Sequence, residues 1–261
     1  MHTTVEFVWK KKKLNKPVLF TGLPGIGLVG KIAVDYMLKQ FKAKKIANVY
    51  SDSFPPSVYI TSGILDLIRD ELFLYRFKNR DFLFLAGPVQ PALDVRFSSL
   101  QDHYEFATTI VKTVKALGVK EIYTLAGINI GEARLHREPR VVAAATDKKI
   151  LEELKALGAK TNMKSGLISG AAGLILGVGA KRGVKGACLM GETSDKLIYG
   201  DHGAAKKILE LLIKRYGFEL DMSAIAKEAR NINKAFKQII NELAAKSAEM
   251  TVPEESPSYV R

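Results

Sequence analysis

Apolar residues in this chain fall into short unbroken runs, set between longer stretches in which they recur every three or four positions. The first habit predicts strands buried on both faces, and the second predicts amphipathic helices. Residues 3–9 alternate, with Val5, Phe7 and Trp9 on one side, and open the chain as a strand. An apolar strand at 17–22, a Gly/Pro turn and a helix running to Phe41 follow. A second strand at 45–50 ends at Ser53-Phe-Pro-Pro-Ser57, where Pro55 and Pro56 exclude helix. Residues 58–61 and 71–77 read as two short antiparallel strands around a loop. Buried strands at 81–86, 121–126, 141–145 and 184–190 then alternate with helices at 99–117, 148–157, 168–180 and 204–216. Gly118 and Gly158 stop two of these helices. Such alternation predicts an α/β fold, a three-layer sandwich around a mostly parallel sheet.

The pattern changes after residue 220. Ile225, Ala229, Ile232, Phe236, Ile239 and Leu243 recur at alternating spacings of four and three, the a and d positions of three heptads. The chain therefore divides into an α/β core at 1–220, an oligomerisation or packing helix at 221–248 and a flexible tail at 249–261. Residues Ile225, Ile232, Phe236, Ile239 and Leu243 are the candidates for a seam with a partner helix; packing on the chain's own core is the alternative.

The turn after the 17–22 strand imitates two phosphate-binding motifs. Gly25, Gly27 and Gly30 spell G-x-G-x-x-G, with Asp52 at the end of the next strand, as in a dinucleotide-binding unit. Gly25 and Gly30-Lys31 also frame a Walker-type loop, but Ile32 stands where a Ser or Thr hydroxyl should reach magnesium. Glycines there also serve a helix that lies close on its sheet, and Leu28, Val29, Ile32 and Ala33 make the first helical turns as apolar as buried packing requires. Packing is the expected role.

Composition adds constraints. The 261 residues are 47% hydrophobic, ample for a sizeable core. The single cysteine, Cys188, lies in an apolar run and reads as a buried strand residue of a reducing cytoplasm. No signal peptide and no apolar segment of membrane-spanning length are expected, so the chain reads as cytoplasmic. A net charge of +13 invites a nucleic-acid partner, but beyond Lys10 to Lys13 the cations are scattered among Asp and Glu without aromatic interleaving. Neither nucleic acid nor membrane is expected as a partner.

Catalytic and metal signatures are missing. There is no H-E-x-x-H and no Cys/His cluster, and Gly166-Leu-Ile-Ser-Gly170 has one residue too many for a nucleophile elbow. No catalytic, cofactor or metal residue is assigned. The best constellation for an enzyme is electrostatic: Arg134, His136, Arg137 and Arg140, with Asn129 and Glu192, around a phosphate or a sugar at the C-terminal edge of the sheet. Salt bridges between subunits are the other use of such a loop.

Several stretches together resemble one family: Gly22-Leu-Pro-Gly-Ile-Gly-Leu-Val-Gly30, Phe54-Pro-Pro56, Gly87-Pro-Val-Gln-Pro91, Arg140-Val-Val142, Gly166-Leu-Ile-Ser-Gly-Ala-Ala-Gly173 and Leu189-Met-Gly-Glu-Thr193. They are similar to the archaeal branch of the proteasome-assembly-chaperone family. That resemblance implies a core akin to nucleoside phosphorylases without their catalytic residues, and no enzyme activity. It also implies a homo-oligomer, tetramer or pentamer, and ATP-independent binding to the α-ring of the proteasome core particle. Family members dock through a C-terminal hydrophobic-Tyr-any motif. Here Tyr259, Val260 and Arg261 are the partner-binding candidates, with Tyr259 one place early and Ser258 in the hydrophobic position. Such a tail docks in a shifted register, or the chain acts with a paralogous chaperone. The alternative from another class is a nucleoside- or nucleotide-handling enzyme built on the glycine turn and the arginine loop.

Overall fold

The computed structural model describes residues 3–10, 13–91, 100–161 and 165–249. Its elements in chain order begin with β1 (Thr4–Phe7), β2 (Val18–Gly22), a single 3-10 turn (Ile26–Leu28), α1 (Val29–Phe41) and β3 (Lys44–Tyr50). Four strands follow, β4 (Val58–Thr61), β5 (Ile64–Leu67), β6 (Asp70–Phe77) and β7 (Arg80–Ala86). Next come α2 (Leu100–Ala116), β8 (Glu121–Asn129), the single turn α3 (Ala133–His136), β9 (Val141–Ala145) and α4 (Lys148–Ala156). The described chain closes with α5 (Gly170–Lys181), β10 (Lys185–Thr193), α6 (His202–Tyr216) and α7 (Ser223–Glu249).

Eight strands form one sheet in the order β1-β3-β6-β7-β2-β8-β10-β9. Side chains alternate across it: Val18 and Phe20 of β2 point to one face and Leu19 to the other. On the first face α1, α4, α6 and the start of α7 bury Val34, Met37, Leu154, Ile208 and Ile225. On the second, α2 and α5 bury Phe106, Val111, Ile175 and Val178. The three expected layers are present, and Cys188 is buried in β10.

Two expectations need correction. The sheet is mixed: β7-β2, β2-β8 and β8-β10 are parallel, whereas β1-β3, β3-β6, β6-β7 and β10-β9 are antiparallel. A parallel pair needs a crossover of about a dozen residues, and β6 and β7 are joined by Lys78 and Asn79 alone, so they must form a hairpin. The second correction concerns residues 58–77. The 58–61 strand does not pair with 71–77; β4 pairs with β5 in a separate two-stranded hairpin, Ile60 opposite Leu65. Ser62 and Gly63 turn it, at φ of 53° and 82°, the positive values that a two-residue type I′ hairpin turn demands.

Candidate functional site

The C-terminal ends of the three central parallel pairs are where an α/β sheet presents ligand-binding loops. Here they carry the glycine turn after β2 and the last residues of β8 and β10. Both of those strands run three residues further than expected, so Gly127 to Asn129 and Gly191 to Thr193 are paired strand rather than loop.

Gly22, Gly27 and Gly30 of the turn are occupied by packing, whereas Gly25 has open space around it. A Cβ on Gly30 would lie 1.9 Å from the carbonyl oxygen of Leu125 in β8, and one on Gly22 would lie 2.3 Å from the oxygen of Gly30. Gly27, at φ 60°, faces the Thr193 hydroxyl of β10. These contacts let α1 lie against the backbone of β8. Lys31, the Walker-type lysine, projects outward and donates to Asp35 at 2.7 Å. Ile32 packs near Gly200. Asp52 follows β3, and β6 and β7 stand between β3 and β2, so the adjacent-strand geometry of a dinucleotide site is not formed.

Between this turn and the start of α5 lies a cleft of about 420 Å³. Its walls are chiefly apolar, with Ile26, Ile128, Leu167 and Met190 among them, and its polar side chains are Thr21, Gln90, Asn129 and Ser169. Among the described residues, no charged side chain lines it. Among the described residues, a phosphate there would meet no cation and no acid-base pair lines the cleft.

The arginine loop turns inward onto its own chain. Arg134 grips Asp201 through two hydrogen bonds of 2.7 and 2.9 Å, and both side chains are buried. Asp201 also caps α6 by accepting from the Ala204 amide at 2.9 Å, and its own amide donates to the Gly27 carbonyl at 2.7 Å. Arg134 reaches Asn233 of α7 at 3.3 Å. One buried ion pair thus joins α3, α6, α7 and the glycine turn. Arg137 and Arg140 both clamp Glu192, Arg137 at 2.9 Å through Nη2 and Arg140 at 2.8 Å through Nη2, with the Arg140 amide adding a third bond at 3.0 Å. Burial by itself would raise the Glu192 carboxyl, but the bonds from Arg137 and Arg140 outweigh it and hold it down at about 2, against an ordinary 4.5. Asn129 accepts from the Gly131 amide at 2.9 Å and steadies the end of β8. Of the two uses offered for this loop, ion pairing is the one the structure describes, but within the chain: Arg134, Arg137 and Arg140 are matched to Asp201 and Glu192 of the same chain.

The first part of α7 is also taken up within the chain. Ile225 is 1% exposed, and Ala229 and Phe236 are buried as well, while Ile232 is half-buried. The side chains of Ile239 and Leu243, and the tail residues Tyr259, Val260 and Arg261, lie outside the described residues. Sequence reasoning missed Asp201 and Asn233, the partners of Arg134, for which no local signal exists.

The chain is thus an α/β core with an apolar-lined cleft at the switch point and a C-terminal helix whose first part packs on its flank. The profile of the PAC2 family matches residues 19–240, and the chain belongs to that family. An uncharacterised protein of Methanocaldococcus jannaschii is 31% identical to it over 258 residues, 96% of each chain. Among solved structures, Pyrococcus furiosus PbaB, an archaeal proteasome activator, superposes with a TM-score of 0.82 at 31% identity, covering 91% of this chain and 98% of PbaB. Pyrococcus furiosus PbaA, an archaeal homologue of proteasome-assembly chaperone, superposes with a TM-score of 0.67 at 25% identity, over 94% of this chain and all of PbaA.

Proposed function

We propose that this chain is a non-enzymatic, ATP-independent partner of the proteasome, an activator or assembly chaperone that works as a homo-oligomer and docks on the α-ring of the core particle with its C-terminal tails. The observation that carries this reading is the likeness to the PbaB activator, 31% identity over nearly the whole of both chains. The site's chemistry supports it. A nucleotide-handling role would want a cation in the cleft and a run of glycines open to a phosphate; the described lining has no charged side chain, and of the turn's glycines Gly22, Gly27 and Gly30 are taken up by packing.

Since Ile225 and Phe236 are buried within the chain, Ile232, Ile239 and Leu243 remain as the part of α7 that meets other copies. Beyond Glu249, the last residue of α7, 12 residues remain, and at about 3.3 Å each they reach roughly 40 Å. Ordering one such tail on binding costs affinity, and several tails presented by one oligomer recover it through effective concentration. Deleting Ser258 to Arg261 should weaken binding to purified α-rings at least about tenfold, with oligomer mass and melting temperature unchanged. Equal binding by the truncated oligomer would refute tail docking.

A further inference from the structure

The β4–β5 hairpin is exposed on all eight of its residues. Val58, Tyr59, Ile60, Ile64, Leu65 and Leu67 are between 42% and 73% exposed. A two-stranded hairpin is at best marginally stable in water on its own. This one does not lie on the body: a cleft of about 340 Å³, lined by Lys31, Asp35, Tyr59, Thr61, Asp66 and Arg69, separates it from α1 and β6. Among the described residues, none covers its apolar side chains.

We propose that the hairpin is a contact surface for a second copy of this chain. Area is the first argument. The pairing puts Val58, Ile60, Leu65 and Leu67 on one face of the hairpin and Tyr59 and Ile64 on the other, and the four on one face expose roughly 350 Å², the size of the largest patch on a typical monomeric protein. Two such faces together give about 700 Å², most of the roughly 1,000 Å² at which a specific interface begins, the rest coming from residues around the hairpin. Charge is the second. Each copy carries +13, with 40 Lys and Arg against 27 Asp and Glu, so two copies repel over most of their surfaces. Residues 51–68 hold Asp52 and Asp66 and no Lys or Arg, and the neighbouring Arg69 is paired with Asp66 and Glu71. The hairpin is where two copies can approach with no cation facing a cation. The same lack of cations disfavours an anionic membrane or a nucleic acid as the occupant.

This deepens the homo-oligomer of the proposed function and rests on that part of it. The test is the mass of the full chain by size exclusion with light scattering at micromolar concentration, with amide exchange of residues 58–67. Ile60→Lys with Leu65→Lys places two cations on a directly opposed pair, at positions 72% and 65% exposed. The variant should drop to a smaller species with unchanged circular dichroism and faster exchange across the hairpin. Ile60→Thr with Leu65→Thr keeps strand preference without charge and should dissociate at roughly tenfold higher concentration. An oligomeric wild type whose mass neither variant changes would overturn the hairpin contact and leave α7 and the tail untouched. A monomeric wild type would overturn both the contact and the oligomer. Wild-type binding to phosphatidylglycerol vesicles that the threonine variant loses at unchanged mass would overturn it in favour of a lipid surface.

Discussion

Replacing Gly30 by alanine sets two effects against each other. Inside a helix the change ordinarily stabilises by about 0.5–1 kcal/mol, because glycine loses more backbone freedom on folding. Gly30 is the second residue of α1, and its missing Cβ would fall 1.9 Å from the Leu125 carbonyl oxygen, with the carbonyl carbon at 2.6 Å. Those are backbone atoms of a central strand. Relief requires α1 to lift from β8 by about an ångström, opening the packing of Val29, Ala33 and Val34. Overpacking of this kind costs about 1–3 kcal/mol and more when no side chain can yield. The strain wins, for a net loss of roughly 2 kcal/mol, which for a domain of this size lowers Tm by about 4–8 °C. Gly25→Ala is the internal control: no atom lies within 4 Å of its added Cβ, its φ of −162° suits any residue, and Tm should stay within about 2 °C. Scanning both variants with and without Mg-ATP and NAD completes the assay. A ligand present at 100 times its Kd would add about 2.7 kcal/mol, and no such rise is expected. A neutral Gly30→Ala, or a nucleotide shift in wild type that both substitutions remove, would refute the packing role of this turn.

Glu192→Gln tests the arginine clamp. The folded carboxyl sits at about 2 against 4.5, so its contribution is complete above pH 4.5 and is lost as pH falls towards 2. The gap corresponds to about 3 kcal/mol, and solvent around the partly exposed arginines reduces this to roughly 1–2 kcal/mol. Urea midpoints of wild type and variant should therefore differ at pH 7 and converge on acidification; a gap that is independent of pH would sink the assignment. Arg134→Ala leaves Asp201 buried without its partner and should cost about 3–5 kcal/mol, with faster amide exchange at the start of α7. Arg134→Lys, which lacks the planar fork, should recover part of that loss, and full stability in the alanine variant would contradict the junction.

The periodicity of apolar positions determined the layers. Strands such as 81–86, apolar at successive positions, require cover on both faces, and that alone dictates helices above and below the sheet. The apolar start of α1 told of burial by local chemistry. The family was legible for a different reason: several short motifs recur in one order.

Strand order was decided by tertiary structure, because strand identity is local and pairing is not. Nothing in residues 44–50 says that β6 and β7 intervene before β2, and that insertion is what dismantles the dinucleotide-like geometry. The arginine loop shows the same limit. Three cations close in sequence left an anion site and salt bridges between subunits both open, and only folding brings Glu192, 52 residues from Arg140, and Asp201, 67 residues from Arg134, to neutralise them. The hairpin was partly legible, since Ser62-Gly63 between apolar runs is a turn signal. That its apolar residues face water is a property of the assembled chain, because exposure depends on which neighbours arrive.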